Sequence, residues 1–112
     1  MKWYHVPGIE LTGEPFIKKV KLSGKGIIII GYENNLYALG STCPHAGAEL
    51  SGGWCKEGKL ICPFHRYTYD LETGKGSPGQ NDYVDSYPVE IRAGEVYVGI
   101  ETFWDRARQA FN

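Results

Sequence analysis

Two short stretches of the sequence combine a thiol with an imidazole. Cys43-Pro44-His45 and Cys62-Pro63-Phe64-His65 each hold one cysteine and one histidine, and residues 46–61 lie between the two motifs. Thiolate and imidazole are the side chains that bind soft and borderline metal ions. Because each pair is only two or three residues apart, one loop can place both of its ligands on the same side. The sequence therefore predicts one metal centre with four ligands, namely Cys43, His45, Cys62 and His65.

The residue types alone leave the metal open. Two cysteines and two histidines also suit tetrahedral Zn²⁺, so a zinc-binding interaction module is one alternative. Zinc-binding loops usually pair Cys with Cys or His with His, however, whereas each motif here supplies a mixed pair. Cys55 lies between the motifs with no cysteine or histidine at ligand spacing, and His5 is isolated as well. We interpret Cys55 as a plain half-buried thiol and His5 as an ordinary strand histidine.

The chain that must position these loops is short. Its 112 residues suffice for one compact domain, which we place at residues 1–112. Apolar residues make up 42% and charged residues 22%, as in typical globular proteins. The longest aliphatic run, residues 27–30, is far shorter than the roughly 20 residues of a membrane-spanning helix, so no membrane partner is expected. The formal net charge of −1 argues against a nucleic-acid partner.

The first residues and the cysteines give an expectation about location. Residues 1–7 lack the basic start and the apolar stretch of a signal peptide. The three cysteines are an odd number at irregular spacing, which disfavours a disulfide framework and favours metal ligation. We therefore expect an intracellular, cytoplasmic protein.

The pattern of turns and alternating residues is that of an all-β protein. Fifteen glycines and six prolines indicate frequent turns. Residues 87–100 alternate apolar and polar on both sides of Ala93-Gly94-Glu95, which predicts a hairpin. Two more hairpins are predicted, one turning at residues 24–26 and one at Asn34-Asn35, and a further strand at residues 59–61. Seven or eight short strands predict a small antiparallel β-sandwich or barrel.

Only the C-terminal residues have a helical pattern. Phe103, Ala107 and Phe111 recur at a spacing of four. This spacing predicts a short helix that caps the barrel, and a helix that docks a partner is the alternative.

Together with their neighbours, the two motifs resemble a known family. The pattern Cys-x-His, sixteen residues, Cys-x-x-His is similar to the binding motif of Rieske [2Fe–2S] proteins, and residues 43–74 resemble Rieske ferredoxins in particular. The resemblance implies a Rieske-like β-fold with a cluster-binding subdomain of two loops at about residues 41–79, and a Rieske-type [2Fe–2S] cluster as cofactor. The ligands that it implies are Cys43 and Cys62 on one iron and His45 and His65 on the other.

The implied ligand set has an electrostatic consequence. An oxidised [2Fe–2S] cluster with two thiolates and two neutral imidazoles is neutral, whereas a cluster with four thiolates carries two negative charges. An electron enters the neutral cluster more easily. This is one reason why Rieske potentials lie at about −150 to +300 mV and plant-type ferredoxin potentials near about −400 mV.

The residues around the motifs match the family in most places. The run Gly76-Ser77-Pro78-Gly79 resembles the proline-bearing loop that covers the cluster. Arg66 departs from the pattern, because many relatives have glycine after the second histidine; if the backbone there has a positive φ, a side chain costs about 1 kcal/mol. The apolar residues expected near the cluster are Pro44, Ala46, Trp54, Phe64 and Pro78.

These features predict a one-electron carrier and not an enzyme. The resemblance implies a soluble, monomeric Rieske ferredoxin that takes an electron from a flavin reductase and passes it to a terminal oxygenase or another redox enzyme. Apart from the two predicted ligands, His5 is the only histidine of the sequence, so the mononuclear iron site of family oxygenases is not expected. The alternative function is that of the small Rieske-like subunit of an assimilatory nitrite reductase.

The sequence also predicts a reduction potential in the lower half of the Rieske range. High-potential family members have an extra cysteine in each loop and a serine soon after the last histidine, where this chain has Ala48, Phe64 and Tyr67. Tyr69 matches a family tyrosine whose hydroxyl reaches a cysteine sulfur, so one hydrogen-bond donor is retained. A redox titration of the cluster-loaded protein, followed by EPR, tests this prediction. A midpoint well above about +150 mV contradicts it.

Overall fold

The structure, a computed structural model, describes residues 1–44, 47–64 and 66–102. These residues form ten short strands and one 3-10 turn at Leu50–Gly52, so the prediction of an all-β antiparallel fold is confirmed. The strands are β1 (Lys2–Val6), β2 (Phe16–Leu22), β3 (Lys25–Tyr32), β4 (Asn35–Gly40), β5 (Trp54–Lys56), β6 (Lys59–Ile61), β7 (Thr68–Asp70), β8 (Ser86–Tyr87), β9 (Val89–Arg92) and β10 (Glu95–Ile100). No helix in this part of the chain is long and apolar enough to cross a membrane.

The chain forms two compact units. The first comprises residues 1–10 together with those from Tyr87 onwards, and it contains the three-stranded sheet β1-β10-β9. The second comprises residues 11–86. It contains the three-stranded sheet β5-β6-β7 and, apart from Tyr87, the four-stranded sheet β2-β3-β4-β8.

In the first unit, β1 pairs with β10 along its whole length, from Lys2 opposite Ile100 to Val6 opposite Val96. The predicted hairpin is present, since β9 and β10 turn at Ala93 and Gly94, where φ is 51° and 81°. His5 is an ordinary strand histidine, as interpreted, and its Nε2 lies 2.9 Å from Oε2 of Glu95. The predicted helix around Phe103, Ala107 and Phe111 lies outside the described residues.

The hairpins of the second unit differ in one detail from the prediction. The turn between β2 and β3 lies at Ser23-Gly24, close to the predicted residues 24–26. The turn between β3 and β4 lies at Glu33-Asn34, one residue before the predicted Asn34-Asn35, with φ values of 49° and 63°. A two-residue loop with positive φ at both positions matches the twist of the strands that it joins. Asn35 therefore begins β4, opposite Tyr32.

The core of the second unit is built around β3. Residues 27–30, all isoleucines, are fully buried, so this strand is covered on both faces and its sequence is continuously apolar rather than alternating. One side of the strand contributes to a cluster that reaches from the four-stranded sheet to β6 and β7. The buried members of this cluster, called the core cluster below, are Ile28, Ile30, Leu39, Cys43, Leu50, Leu60, Cys62, Tyr69, Leu71 and Val84.

Gly74 is a position in the second unit where we expect a side chain to be especially costly. Its φ is +76°, and a Cβ added there would overlap the carbonyl oxygen of Val84. Gly74→Ala should lower the free energy of unfolding by about 2–4 kcal/mol, because left-handed backbone strain and overpacking add together. Gly58 is a matched control, since its φ is +77° and nothing lies within 4 Å of an added Cβ.

For Gly58→Ala we expect only the left-handed backbone strain, which should lower the free energy of unfolding by about 1–2 kcal/mol. Urea denaturation of the two variants and the parent protein, all in the same cofactor state, measures the difference. Equal losses for both variants would show that Val84 moves aside without cost.

Candidate metal centre

The two loops that carry the cysteines are closed in the same way. Cys43 lies in the loop after β4, and its backbone N–H donates to the carbonyl oxygen of Ala48 at 2.8 Å. Cys62 directly follows β6, and its N–H donates to the carbonyl oxygen of Tyr67, also at 2.8 Å. In each loop the cysteine is therefore tied to the residue five positions later. The cysteine side chain thus projects from the fixed base of the loop in both cases.

Each loop also contains a residue with a left-handed backbone. In the first loop it is Gly47, with φ 66°, whose N–H donates to the carbonyl oxygen of Cys43 at 2.9 Å. In the second loop it is Arg66, with φ 57°. Many relatives have glycine at this position, and a side chain there costs free energy if φ is positive. The φ of Arg66 is positive. Arg66 accepts strain of about 1 kcal/mol that glycine would avoid.

The two predicted histidine ligands lie outside the described residues, as does Ala46. In the sequence, His45 falls between Cys43 and Ala48, and His65 falls between Cys62 and Tyr67. The four-residue ligand set therefore stays a prediction. The described half of the site is the cysteine pair.

The structure brings the two cysteines together inside the core cluster. The exposed fraction is 1% for Cys43 and 0% for Cys62, and neither residue forms a disulfide. The Cys62 thiol is hydrogen-bonded to that of Cys43, and the backbone N–H of Phe64 donates to the Cys62 sulfur. Burial raises the pKa of Cys62, the Phe64 N–H lowers it, and Cys43 raises it further. Two buried sulfurs become thiolates together only when a bound cation balances their charge, which is the chemistry of a soft metal site.

Several apolar residues in the two loops or near them in sequence are exposed, in contrast to the sulfurs. Trp54 is 43% exposed and Phe64 53%, and Pro44 and Pro78 are exposed as well. Four of the five apolar residues predicted near the centre are therefore described, and all four lie at the protein surface. The two sulfurs are therefore buried, whereas Pro44 and Phe64 in the same loops are exposed.

Tyr69 is the polar neighbour of the cysteine pair. Its side chain is fully buried, and its hydroxyl oxygen lies 3.5 Å from Sγ of Cys43. The prediction that this hydroxyl reaches a cysteine sulfur is confirmed. The same hydroxyl donates to Oδ2 of Asp82 at 2.9 Å, a partner that the sequence analysis missed. Burial raises the Tyr69 pKa, and the contacts with Cys43 and Asp82 raise it further, so the phenol stays protonated.

A family model described as the Rieske [2Fe–2S] domain matches residues 2–88 of the sequence. The chain belongs to this family. The resemblance seen in the two motifs is thereby confirmed, and with it the Rieske-type [2Fe–2S] cluster as the cofactor. The described residues fit this cofactor, because two buried thiols in mutual contact, with an amide donor on one of them, match in kind and number the sulfur ligands that one of its irons requires.

Similar proteins extend this identification to most of the chain. The ferredoxin component of the naphthalene 1,2-dioxygenase and salicylate 5-hydroxylase systems of Ralstonia sp. is 30% identical, over 88% of this chain and 96% of that protein. The ferredoxin component of the naphthalene 1,2-dioxygenase system of Pseudomonas putida is 26% identical, over 89% of this chain and 97% of that protein. Both relatives are electron-transfer components. The prediction of an electron carrier that is not itself a catalyst is confirmed.

Solved structures show the same likeness. A chain in the complex of reduced oxygenase and oxidised ferredoxin of carbazole 1,9a-dioxygenase superimposes with a TM-score of 0.76 and 27% identity. The match covers 88% of this chain and 97% of that one. The Rieske-like fold that the resemblance implied is therefore confirmed.

The third thiol gives a prediction about reactivity. Cys55 lies in β5, is half-buried against the core cluster as interpreted, and burial raises its pKa to about 11. Because only the thiolate reacts with alkylating agents, the rate of Cys55 labelling by iodoacetamide should keep rising above pH 9 and reach half of its maximum near pH 11. Peptide mapping by mass spectrometry after short pulses measures this rate.

The variant Cys55→Ser should keep the full absorption spectrum of the cluster, because Cys55 is not a predicted ligand. A labelling rate that is already constant at pH 9, or loss of the cluster in Cys55→Ser, would contradict this assignment.

Proposed function

We propose that this protein is the ferredoxin component of an oxygenase system, a one-electron carrier between a flavin reductase and a terminal oxygenase. The observation that carries the proposal is the contact of the Cys43 and Cys62 thiols inside the core cluster, at the bases of two equally closed loops. The similarity to ferredoxin components, over 88–89% of this chain and 96–97% of theirs, supports the carrier role over a catalytic one.

We assign the ligands accordingly. Cys43 and Cys62 would hold one iron through their sulfurs, and His45 and His65 would hold the other through their imidazoles. When bound, the [2Fe–2S] cluster supplies reversible one-electron chemistry. The chain contributes the environment, since the core cluster keeps water from the sulfurs and the Phe64 N–H favours the thiolate of Cys62.

We further propose that residues 41–79 form the cluster-binding subdomain of a single Rieske domain spanning residues 1–112. The second cysteine loop joins β6 to β7, which gives it a rigid frame. The segment after residue 75 is fastened to the same frame, because the Ser77 N–H donates to the carbonyl oxygen of Thr68 at 3.2 Å. These contacts support a subdomain in which the second loop and the proline-bearing segment are held relative to β7, and the Tyr69 hydroxyl of β7 also reaches Cys43 of the first loop.

The exposed apolar residues in the two loops and near them in sequence support transient docking to redox partners. Trp54 and Phe64 together with Pro44 present apolar surface around the cysteine loops. Electron-transfer partners meet through small interfaces, so a patch of this kind suffices without a permanent complex. We propose a monomer in the cytoplasm, a location that three cysteines without a disulfide support.

Loading the protein with iron and sulfide tests the cofactor and its ligands. Metal and sulfide analysis should give two irons and two labile sulfides per chain, and dithionite should produce a Rieske-type EPR signal. Cys43→Ala and His65→Ala should each abolish the signal, because each removes one iron ligand. His5→Ala is the control, because it removes a histidine that lies in β1, and it should keep the signal.

Two outcomes would contradict the proposal. A colourless protein with one zinc per chain would make the site a zinc site. Co-purification with a large redox enzyme, with no reduction of the isolated chain by a ferredoxin reductase and NADH, would make the protein a fixed subunit rather than a diffusing carrier.

A further inference from the structure

The hydroxyl group of Tyr69 lies between the carboxylate of Asp82 and the sulfur of Cys43, and it has one proton to give. Its oxygen is 2.9 Å from Oδ2 of Asp82 and 3.5 Å from Sγ of Cys43. A carboxylate oxygen at the shorter distance is the stronger acceptor, because its charge strengthens the bond. The proton is therefore directed to Asp82, and a lone pair of the Tyr69 oxygen is left facing the sulfur.

Asp82 is held in this place by the loop around it. Its Oδ1 accepts a bond from Nε2 of Gln80 at 3.0 Å, and its carbonyl oxygen accepts the Gly76 N–H at 2.9 Å. Gln80 is itself fixed to β7, because its side chain bonds both the N–H and the carbonyl oxygen of Thr68, at 3.0 Å and 3.1 Å. The two carboxylate oxygens of Asp82 thus have separate donors, Gln80 and Tyr69.

The loop around Asp82 is closely packed. A Cβ at Gly76 would overlap Oδ1 of Asp82 and would also press on Nε2 of Gln80. The backbone therefore makes room for the carboxylate and the amide to meet. The contact of Asp82 with Tyr69 depends on this packing and not on a mobile side chain at the surface.

We propose that Asp82 is a positioning residue that lowers the reduction potential of the cluster by drawing the Tyr69 hydroxyl proton away from the Cys43 sulfur. The inference rests on the proposed function, in which Cys43 is a cluster ligand. A hydrogen bond to a ligand sulfur stabilises the reduced, more negative cluster and raises the potential. When the Tyr69 proton points to Asp82, this donor is lost. The negative charge of the Asp82 carboxylate also disfavours the addition of an electron to the cluster.

The simpler alternative is that Tyr69 donates to the sulfur and Asp82 only supports the loop. The two accounts differ in what Tyr69→Phe does. If the proton points to Asp82, removing the hydroxyl changes the potential little. If the proton points to the sulfur, removing the hydroxyl lowers the potential clearly.

The test is a set of four cluster-loaded proteins, namely the parent, Tyr69→Phe, Asp82→Ala and the double variant, each titrated for its midpoint potential by EPR. Asp82→Ala frees the hydroxyl to donate to the sulfur, so it should raise the potential. Loss of the carboxylate charge raises the potential in both backgrounds and cancels in the comparison. With Tyr69 present, the equilibrium constant for reduction should rise about tenfold more than in the Tyr69→Phe background, which is about 59 mV for one electron.

Equal shifts for Asp82→Ala in the two backgrounds would overturn the inference. A clear fall of the potential on Tyr69→Phe in the parent would overturn it as well, because the hydroxyl would then donate to the sulfur while Asp82 is present. If Asp82→Ala does not fold, Asp82→Asn serves instead, because the amide keeps the shape but is a weaker acceptor for the hydroxyl; it should shift the potential in the same direction and to a smaller extent. Asp85→Asn controls for the charge, because it removes an exposed carboxylate three residues further along the chain.

The same measurements distinguish a failure of the proposed function from a failure of the role of Asp82. A parent protein without a Rieske EPR signal contradicts the proposed function itself. A normal EPR signal with potentials that do not depend on the combination of Tyr69 and Asp82 contradicts only the role of Asp82.

Discussion

The structure depends on bringing two thiols into contact where water is excluded. Cys43 and Cys62 come from loops that leave two different sheets, and both are buried in the core cluster. In that place a thiolate is poorly solvated, and burial accordingly raises the pKa of Cys62. In the proposed ligand set, an iron bound to both sulfurs would remove this penalty by balancing the charge. Cofactor binding and the stability of this region are therefore thermodynamically linked, as they are at other thiolate metal sites.

The loops divide into a fixed base and an exposed outer part. At each base the cysteine N–H is bonded to a carbonyl oxygen, and the sulfur enters the core. At the outer side stand Phe64, which is exposed, and Arg66, whose backbone is left-handed. Rigid bases would keep the proposed ligand sulfurs in place with little reorganisation, while the exposed outer part would meet a partner. This division suits a carrier that must exchange electrons quickly and then dissociate.

Much of this could be predicted from the sequence, because the signals are local. The mixed Cys/His motifs pointed to two loops whose cysteines the structure brings into one cluster, and the turn residues indicated the hairpins. The prediction placed the turn at Glu33-Asn34 one residue too late, because only the strand pairing decides which two residues have the positive φ. Strands β5, β7 and β8 were not predicted, because two or three residues are too few to show an alternating pattern. The equally short β6 was predicted, at residues 59–61.

The polar partners of the site could not be predicted in this way. Asp82 is thirteen residues from Tyr69, and Gln80 is twelve from Thr68. No motif marks these pairs, because they meet only through the path of the loop between β7 and β8. Likewise, the pairing of β1 with β10 joins the two ends of the described chain, and no local pattern encodes it. Contacts of this kind follow from tertiary structure and not from spacing.

The central claim is that the two irons have different ligands, sulfur from Cys43 and Cys62 on one and nitrogen from His45 and His65 on the other. Mössbauer spectroscopy of the ⁵⁷Fe-loaded protein tests it most directly. The account predicts two distinct iron environments of equal intensity in the oxidised state, only one of which becomes ferrous on reduction. A single environment for both irons in the oxidised protein would contradict it.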